Sequence, residues 1–270
     1  MNHIQLTITA AEADQEQLIS LLSELGATGF EQTEDRLLAY FEEESFPSYD
    51  VKGILSNFPF EVTTVKEQNW NEVWEKAFQP VVVDDFCAIR ADFHEPITGV
   101  AHEIIITPKM SFGTGHHATT HLMMQQMREI PFQSKNVFDF GTGTGILAIL
   151  AEKLGAEKIT AIDNDEWSFE NATENAARNN CTKIDVQLSS VLPAGIVFDV
   201  VLANINRNVI LQYLPYLKDM VIQNGVLLLS GLLVSDKEDI VEACWQNGFE
   251  LVVDKDRNNW LSLRMTKQNN

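Results

Sequence analysis

An apolar run, Val137-Phe138-Asp139-Phe140, passes through Gly141-Thr142-Gly143-Thr144-Gly145 into a second apolar run, Ile146-Leu147-Ala148. The order reads as a buried strand, a glycine turn and a helix. Glycine admits tight or left-handed backbone angles and lets a ligand approach the main chain closely. The helix that follows begins with unpaired N–H groups and a positive partial charge. A turn of this kind cradles a nucleotide. It places the chain among α/β folds and makes the rest support, access or substrate delivery.

Beyond the turn, stretches 158–162, 184–188, 198–203 and 225–230 read as strands. Stretches 165–179, 208–220 and 235–247 read as helices, with Asp165 as an N-cap and Ser235-x-x-Glu238 as a capping box. Strands alternating with helices predict a Rossmann-like, doubly wound, mainly parallel sheet. Stretches 249–253 and 260–265, joined by a charged turn, add a C-terminal antiparallel hairpin.

Ahead of the turn, residues 3–9 alternate, with Ile4, Leu6 and Ile8 on one face. A helical pattern over 11–25, short strands at 29–32 and 37–41, a helix opened by Pro47 and a strand at 60–65 follow. The order β-α-β-β-α-β predicts a small α+β ferredoxin-like domain over residues 1–66. Residues 67–79 read as a helical linker, with Trp70, Trp74 and Phe78 four apart on one face. Residues 80–270 hold the glycine turn. Within them 80–90 and 102–107 are strand-like, and a helix is expected over 121–130. Between these lies a loop at 110–120, rich in Gly, Thr and His, a poor core element and a good ligand lid.

Composition excludes some functions. The chain has 270 residues, 39 acidic against 19 basic, and a formal charge of −20. Duplex nucleic acid needs a basic surface to neutralise its phosphates, so direct nucleic-acid binding is not expected. An acidic protein suits a basic partner, because complementary charge speeds encounter. Cys87, Cys181 and Cys244 form no C-x-x-C pair and are odd in number. That argues against a disulfide framework and a structural zinc and for a reducing cytoplasm. His116 and His117 are neighbours with no matching ligand set, so no metal is expected. No apolar run of spanning length and no secretory pattern at the first residues are visible, so a cytoplasmic location without membrane contact is expected. A monomer is expected.

In an open α/β sheet, ligands sit beyond the carboxyl ends of the strands. Standing there are the Gly141–Gly145 turn, Asp163, the 188–192 loop, Asn204 and Gly231. Asp163 lies about twenty residues past the turn, where an acid accepts hydrogen bonds from both ribose hydroxyls. Asn204 both donates and accepts, which suits a substrate amine or the amino-acid part of a cofactor. The spacing G-x-G-x-G departs from the G-x-G-x-x-G of nicotinamide sites. It resembles the turn of class I S-adenosylmethionine-dependent methyltransferases.

The resemblance is closer than that superfamily. Ser111-Phe112-Gly113-Thr114-Gly115-His116-His117-Ala118-Thr119-Thr120, the 138–149 stretch, Ile162-Asp163-Asn164-Asp165, Glu174-Asn175-Ala176 with Asn179, and Val201-Leu202-Ala203-Asn204-Ile205 look like the bacterial ribosomal protein L11 methyltransferases. The N-terminal module and the Trp-rich linker match too. The resemblance implies a catalytic domain over 80–270 that uses S-adenosyl-L-methionine and releases S-adenosyl-L-homocysteine. It implies methyl transfer to amino groups, lysine side chains and the N-terminal amine, of L11, free or on the ribosome. It also implies recognition of L11 by the N-terminal domain. Thr120, Gly141, Asp163 and Asn204 are implied as cofactor contacts, with Gly143 and Gly145 in the same turn and Phe112 and Thr114 in the loop that closes over it. Asn204 is the residue expected to hold cofactor and amine in register. His117 is either a base or a residue that positions Thr120. The family usually has Thr-His-Pro where His116-His117-Ala118 stands, and often Pro-Gly at Pro108-Lys109; the ligand-contacting positions are intact. The alternatives are the same chemistry on another protein or small amine, or a binding module without activity.

Overall fold

The computed structural model describes residues 3–33, 35–65, 78–108 and 115–268, and the chain divides into two compact units, Met1–Val73 and Trp74–Asn270. The expected linker helix with Trp70 and Trp74 lies outside the described residues, as does the loop segment bearing Phe112 and Thr114.

In the first unit, β1 (His3–Thr9), α1 (Glu12–Glu24), β2 (Gly29–Gln32), β3 (Arg36–Glu42), α2 (Ser48–Ile54) and β4 (Phe60–Val65) follow the expected order. The antiparallel sheet runs β2-β3-β1-β4. Ile4, Leu6 and Ile8 alternate inward with Leu37, Ala39 and Phe41, and Leu18, Leu22, Val51 and Leu55 cover them. One face of the sheet is thereby buried, as the period of two requires. The buried Gln15 amide donates to the carbonyls of Ala10 and Thr33 at 3.0 and 2.8 Å. It ties the start of α1 to the β2–β3 turn without leaving its donors unmet.

The second unit opens with β5 (Val81–Val83), β6 (Cys87–Ala91) and β7 (His102–Ile106), a separate three-stranded sheet in which β6 and β7 run parallel. The single strand expected over 80–90 is thus a hairpin. Asp84, in the left-handed region at φ 50°, turns the chain at the Asp84-Asp85 pair that interrupts the apolar residues. Next come α3 (Ala118–Met127), β8 (Asn136–Phe140), α4 (Ile146–Lys153), β9 (Lys158–Asp163), α5 (Glu166–Arg178), β10 (Ile184–Leu188), β11 (Phe198–Asn204) and α6 (Arg207–Met220). The chain ends with β12 (Val221–Leu233), α7 (Lys237–Gln246), β13 (Phe249–Arg257) and β14 (Trp260–Lys267).

The main sheet runs β10-β9-β8-β11-β12-β14-β13, parallel as far as β12 and antiparallel in the last two pairs. Both faces are covered. Val137, Val200 and Leu202 point into a core shared with α3, α4 and β5–β7, while Phe138, Val201 and Ala203 point into one shared with α6 and α7. Burial on both faces is why β8 and β11 read as continuous apolar runs.

Local signals held at Asp165, whose carboxylate accepts from Ser168 N–H at 2.8 Å. They failed at Ser235. There the Asp236 carboxylate accepts from Leu233 N–H at 2.8 Å and a 3-10 turn, Val234–Asp236, precedes α7. From β8 the crossovers run one way to β9 and β10 and the other way to β11 and β12. The strand order reverses at the β8/β11 boundary, where open α/β sheets bind ligands.

Candidate active site

At that boundary Phe140 pairs in register with Ala203, so Gly141 and Asn204 stand side by side at the carboxyl ends of β8 and β11. Gly141, Gly143 and Gly145 all have positive φ, at 73°, 56° and 80°. Gly145 is the N-cap of α4, and a Cβ there would lie 3.2 Å from the Ala172 backbone. The turn therefore needs glycine at that position for both its angle and its packing against α5. The N–H groups of Gly141 and Thr142 both donate to the Ile162 carbonyl at 3.0 Å, which fastens the turn to the end of β9.

Asp163 closes the same corner. One carboxylate oxygen accepts from Gly143 N–H at 2.9 Å and the other from Asp165 N–H at 3.1 Å. Each oxygen keeps a further lone pair for a ligand hydroxyl. Asn204 is 8% exposed. Its amide nitrogen donates to the Thr120 hydroxyl at 3.3 Å, and its Oδ1 is buried without a hydrogen-bond partner. A buried acceptor with nothing to accept is costly in isolation and suits a ligand that brings a donor. Thr120 is buried on the first turn of α3. His117 is the N-cap of that helix, its Nδ1 accepting from Thr119 N–H at 3.4 Å and lying 2.8 Å from the Thr119 hydroxyl. Burial lowers the His117 pKa, which keeps the ring neutral at pH 7.

These residues share one cavity of about 650 Å³, within the usual size of a small-molecule site. Gly141, Gly143, Asp163, Asn204 and His117 line it, with Ser189, Ser190 and Gly231 from the neighbouring strand ends. Gly145 and Thr120 are not among its lining residues, and Thr120 lines a smaller space that shares Gly141 and Asn204 with it. Tyr213 and Val209 of α6 and Trp260 at the start of β14 also line the larger cavity. Sequence reasoning missed these three. Asn258 and Asn259, both with positive φ, form the turn that delivers Trp260 to within 4.6 Å of the His117 ring. That Asn-Asn pair was the available signal. Among the lining residues Asp163 supplies the one formal charge at neutral pH, and it is negative. The cavity thus fits a cation bearing hydroxyls and amino groups. Among the described residues no cluster of three or more His, Cys, Asp or Glu side chains is placed to hold a metal. None of the described helices is long and apolar enough to cross a membrane.

Asp139 was also missed, as a group with a shifted pKa. It is fully buried beneath the turn, accepts from the Thr142 hydroxyl at 2.6 Å, and burial pushes its pKa up to about 7. The Asp163 charge adds to that rise, and the Thr142 hydrogen bond opposes it. A carboxyl whose folded pKa is raised holds its proton more tightly when folded. Its contribution to stability is full below about pH 4 and is lost as pH climbs through 7. Asp139→Asn removes that dependence. Between pH 4 and pH 8 the variant is expected to gain up to ~4 kcal/mol relative to the unsubstituted chain. Urea unfolding at the two pH values measures it, and a difference independent of pH would contradict it.

A model of the family described as ribosomal protein L11 methyltransferase matches residues 39–268. The chain is 40% identical over 265 residues to the ribosomal protein L11 methyltransferase of Porphyromonas gingivalis, spanning 94% of this chain and 91% of that protein. It is 36% identical to that of Phocaeicola vulgatus, spanning 98% and 99%. Among solved structures, the ribosomal protein L11 methylase from Lactobacillus delbrueckii subsp. bulgaricus is 29% identical, with a TM-score of 0.66 over 71% of this chain and 100% of that one. Similarity that runs unbroken from the N-terminal sheet through the glycine turn to the final hairpin has one meaning: the chain belongs to the ribosomal protein L11 methyltransferase family.

Proposed function

We propose that this chain transfers methyl groups from S-adenosyl-L-methionine to amino groups of ribosomal protein L11 and releases S-adenosyl-L-homocysteine. The observation that supports it most is the single cavity in which the glycine turn, Asp163 and the unpartnered Oδ1 of Asn204 meet. The relatives bearing the L11 methyltransferase name supply the acceptor.

When bound, S-adenosylmethionine supplies a methyl group on a positively charged sulfonium. Asp163 would accept from its ribose hydroxyls while holding the Gly143 N–H. Asn204 would accept an N–H of the incoming amine through its unpartnered Oδ1 and so orient the nitrogen, the orientation term of the rate. The amine must arrive neutral, since the reference lysine pKa is about 10.4 and an ammonium has no lone pair. Apolar walls from Phe140, Ile162, Ile205 and Trp260 would desolvate an amine that enters between them, which lowers its pKa. His117 has its Nδ1 committed to the cap of α3, so we assign it the positioning of Thr120 rather than proton removal. The N-terminal unit is assigned recognition of L11. Residues 1–66 contain twelve acidic and three basic side chains, a charge balance suited to a basic ribosomal protein.

Labelled S-adenosylmethionine with purified L11 tests the reading: label on L11 is expected. Label on other lysate proteins and none on L11 would move the activity to another acceptor. Asp163→Ala is expected to weaken S-adenosylhomocysteine binding ~10- to 100-fold, from lost charge-assisted hydrogen bonds. Unchanged affinity by calorimetry would remove the ribose from this carboxylate.

A further inference from the structure

Strand β7 has β6 on one side. On its other side it pairs with side chains of helix α5. Asn179 Oδ1 accepts from Ile105 N–H at 3.0 Å, and Asn179 Nδ2 donates to the Ile105 carbonyl at 2.6 Å. Four residues earlier, Asn175 Oδ1 accepts from Thr107 N–H at 2.8 Å. Next to it the Thr107 hydroxyl donates to the Glu174 carboxylate at 2.6 Å. The spacings agree physically. Four helical residues rise about 6 Å, and two strand residues advance about 6.6 Å. An i, i+4 pair of amides can therefore meet alternate residues of an extended chain, as a neighbouring strand would.

Asn175 differs from Asn179 in its second partner. Its Nδ2 donates to the carbonyl of Thr144, the residue between Gly143 and Gly145, at 2.9 Å, and to Asn171 Oδ1 at 3.0 Å. The side chain is fully buried, and both its N–H bonds and its oxygen are engaged. One amide group thus joins a main-chain N–H just beyond β7 to a main-chain carbonyl in the glycine turn. Those two residues are 68 and 31 positions away from it in the chain. Helix α5 also abuts the turn directly, with Ala172 against Gly145.

We propose that Asn175 is a positioning residue for the cofactor, locking the glycine turn to the end of β7 so that the turn presents a fixed main chain to the ligand. The cofactor half of this statement rests on the S-adenosylmethionine reading above. Asn175 touches neither cofactor nor substrate; it acts through Thr144 and Thr107. Asn179 provides the matched control, since it clamps the same strand from the same helix and has no bond to the turn.

The experiment compares the full-length chain with Asn175→Ala and Asn179→Ala. Amide hydrogen exchange is followed without ligand, and S-adenosylhomocysteine affinity is measured by calorimetry well below each melting temperature. Asn175→Ala is expected to speed exchange of the Thr107 and Gly145 amides tenfold or more and to weaken the ligand at least tenfold. Asn179→Ala is expected to speed exchange at Ile105, to leave Gly145 unaffected and to change affinity less than twofold. Equal affinity losses in the two variants would overturn the proposal, because a merely structural clamp predicts them. Unchanged Gly145 exchange in Asn175→Ala would overturn the coupling. If the unsubstituted chain binds no S-adenosylhomocysteine, the cofactor reading fails and takes this role of Asn175 with it.

Discussion

Asn204→Ala is expected to lower kcat ~10²- to 10³-fold, the usual cost of removing one pre-placed polar group from the reacting centre. The side chain is buried at the carboxyl end of β11, beside Gly141, and lines the main cavity. It also lines a second space of about 20 Å³ with Thr120, Thr142 and Thr144. Alanine removes two functions at once. The Thr120 hydroxyl loses its donor, and the unpartnered acceptor proposed to meet the amine disappears. The loss should fall on kcat more than on cofactor affinity, because an alignment contact is realised as the amine reaches the methyl. Asn204→Asp separates alignment from simple packing. A carboxylate keeps an acceptor in place, yet its charge favours the ammonium and holds the amine protonated to higher pH. Its optimum for kcat should therefore move upward relative to the unsubstituted chain. Retention of kcat within threefold by the alanine variant would remove Asn204 from the mechanism.

The parts of this site that were legible in sequence are local in the chain. The glycine turn declared itself because strand, turn and helix follow one another without interruption. Asp163 was legible because the strand after the turn has a near-constant length, so its end falls at a fixed distance. Asn204 stood out as a polar residue ending an apolar strand. What stayed hidden depends on pairing between distant segments. The hairpin at Asp84 is the exception, because the Asp84-Asp85 pair marked it locally between Val81–Val83 and Cys87–Ala91. Trp260 reaches the cavity only because β14 enters the sheet antiparallel to β12, which fixes which end of the hairpin faces the ligand. The Asn175 bridge joins segments that no periodicity relates. The expected strand at 225–230 was too short for a similar reason. Strand β12 continues past Ser230 through an irregularity that only its partner reveals.

That irregularity predicts the second large effect. Between the pairs Leu229↔Leu263 and Leu232↔Leu261, two residues of β12, Ser230 and Gly231, oppose the single Ser262 of β14. This is a β-bulge with glycine in the left-handed region, at φ 83°. A Cβ on Gly231 would lie 2.1 Å from the carbonyl oxygen of Ile205 and 2.7 Å from its carbon. Both atoms are backbone, so no rotamer change relieves the clash, and Ile205 directly follows Asn204. Gly231→Ala must therefore either push the strand end of β11 out of place or open the bulge. The left-handed angle alone costs about 1 kcal/mol for a side chain, and overpacking adds about 1–3 kcal/mol. The sum corresponds to a melting temperature lowered by roughly 5–15 °C in a domain of this size. Methyl transfer should fall further than stability, because the displaced residue adjoins Asn204, which is proposed to align the amine. Gly99→Ala is the control: Gly99 also has a positive φ, at 84°, but nothing lies within 4 Å of a Cβ there. It should show the angular cost without the clash and keep its activity. If the two variants melt together and both remain active, the close approach of β12 to Ile205 does not hold Asn204 in place.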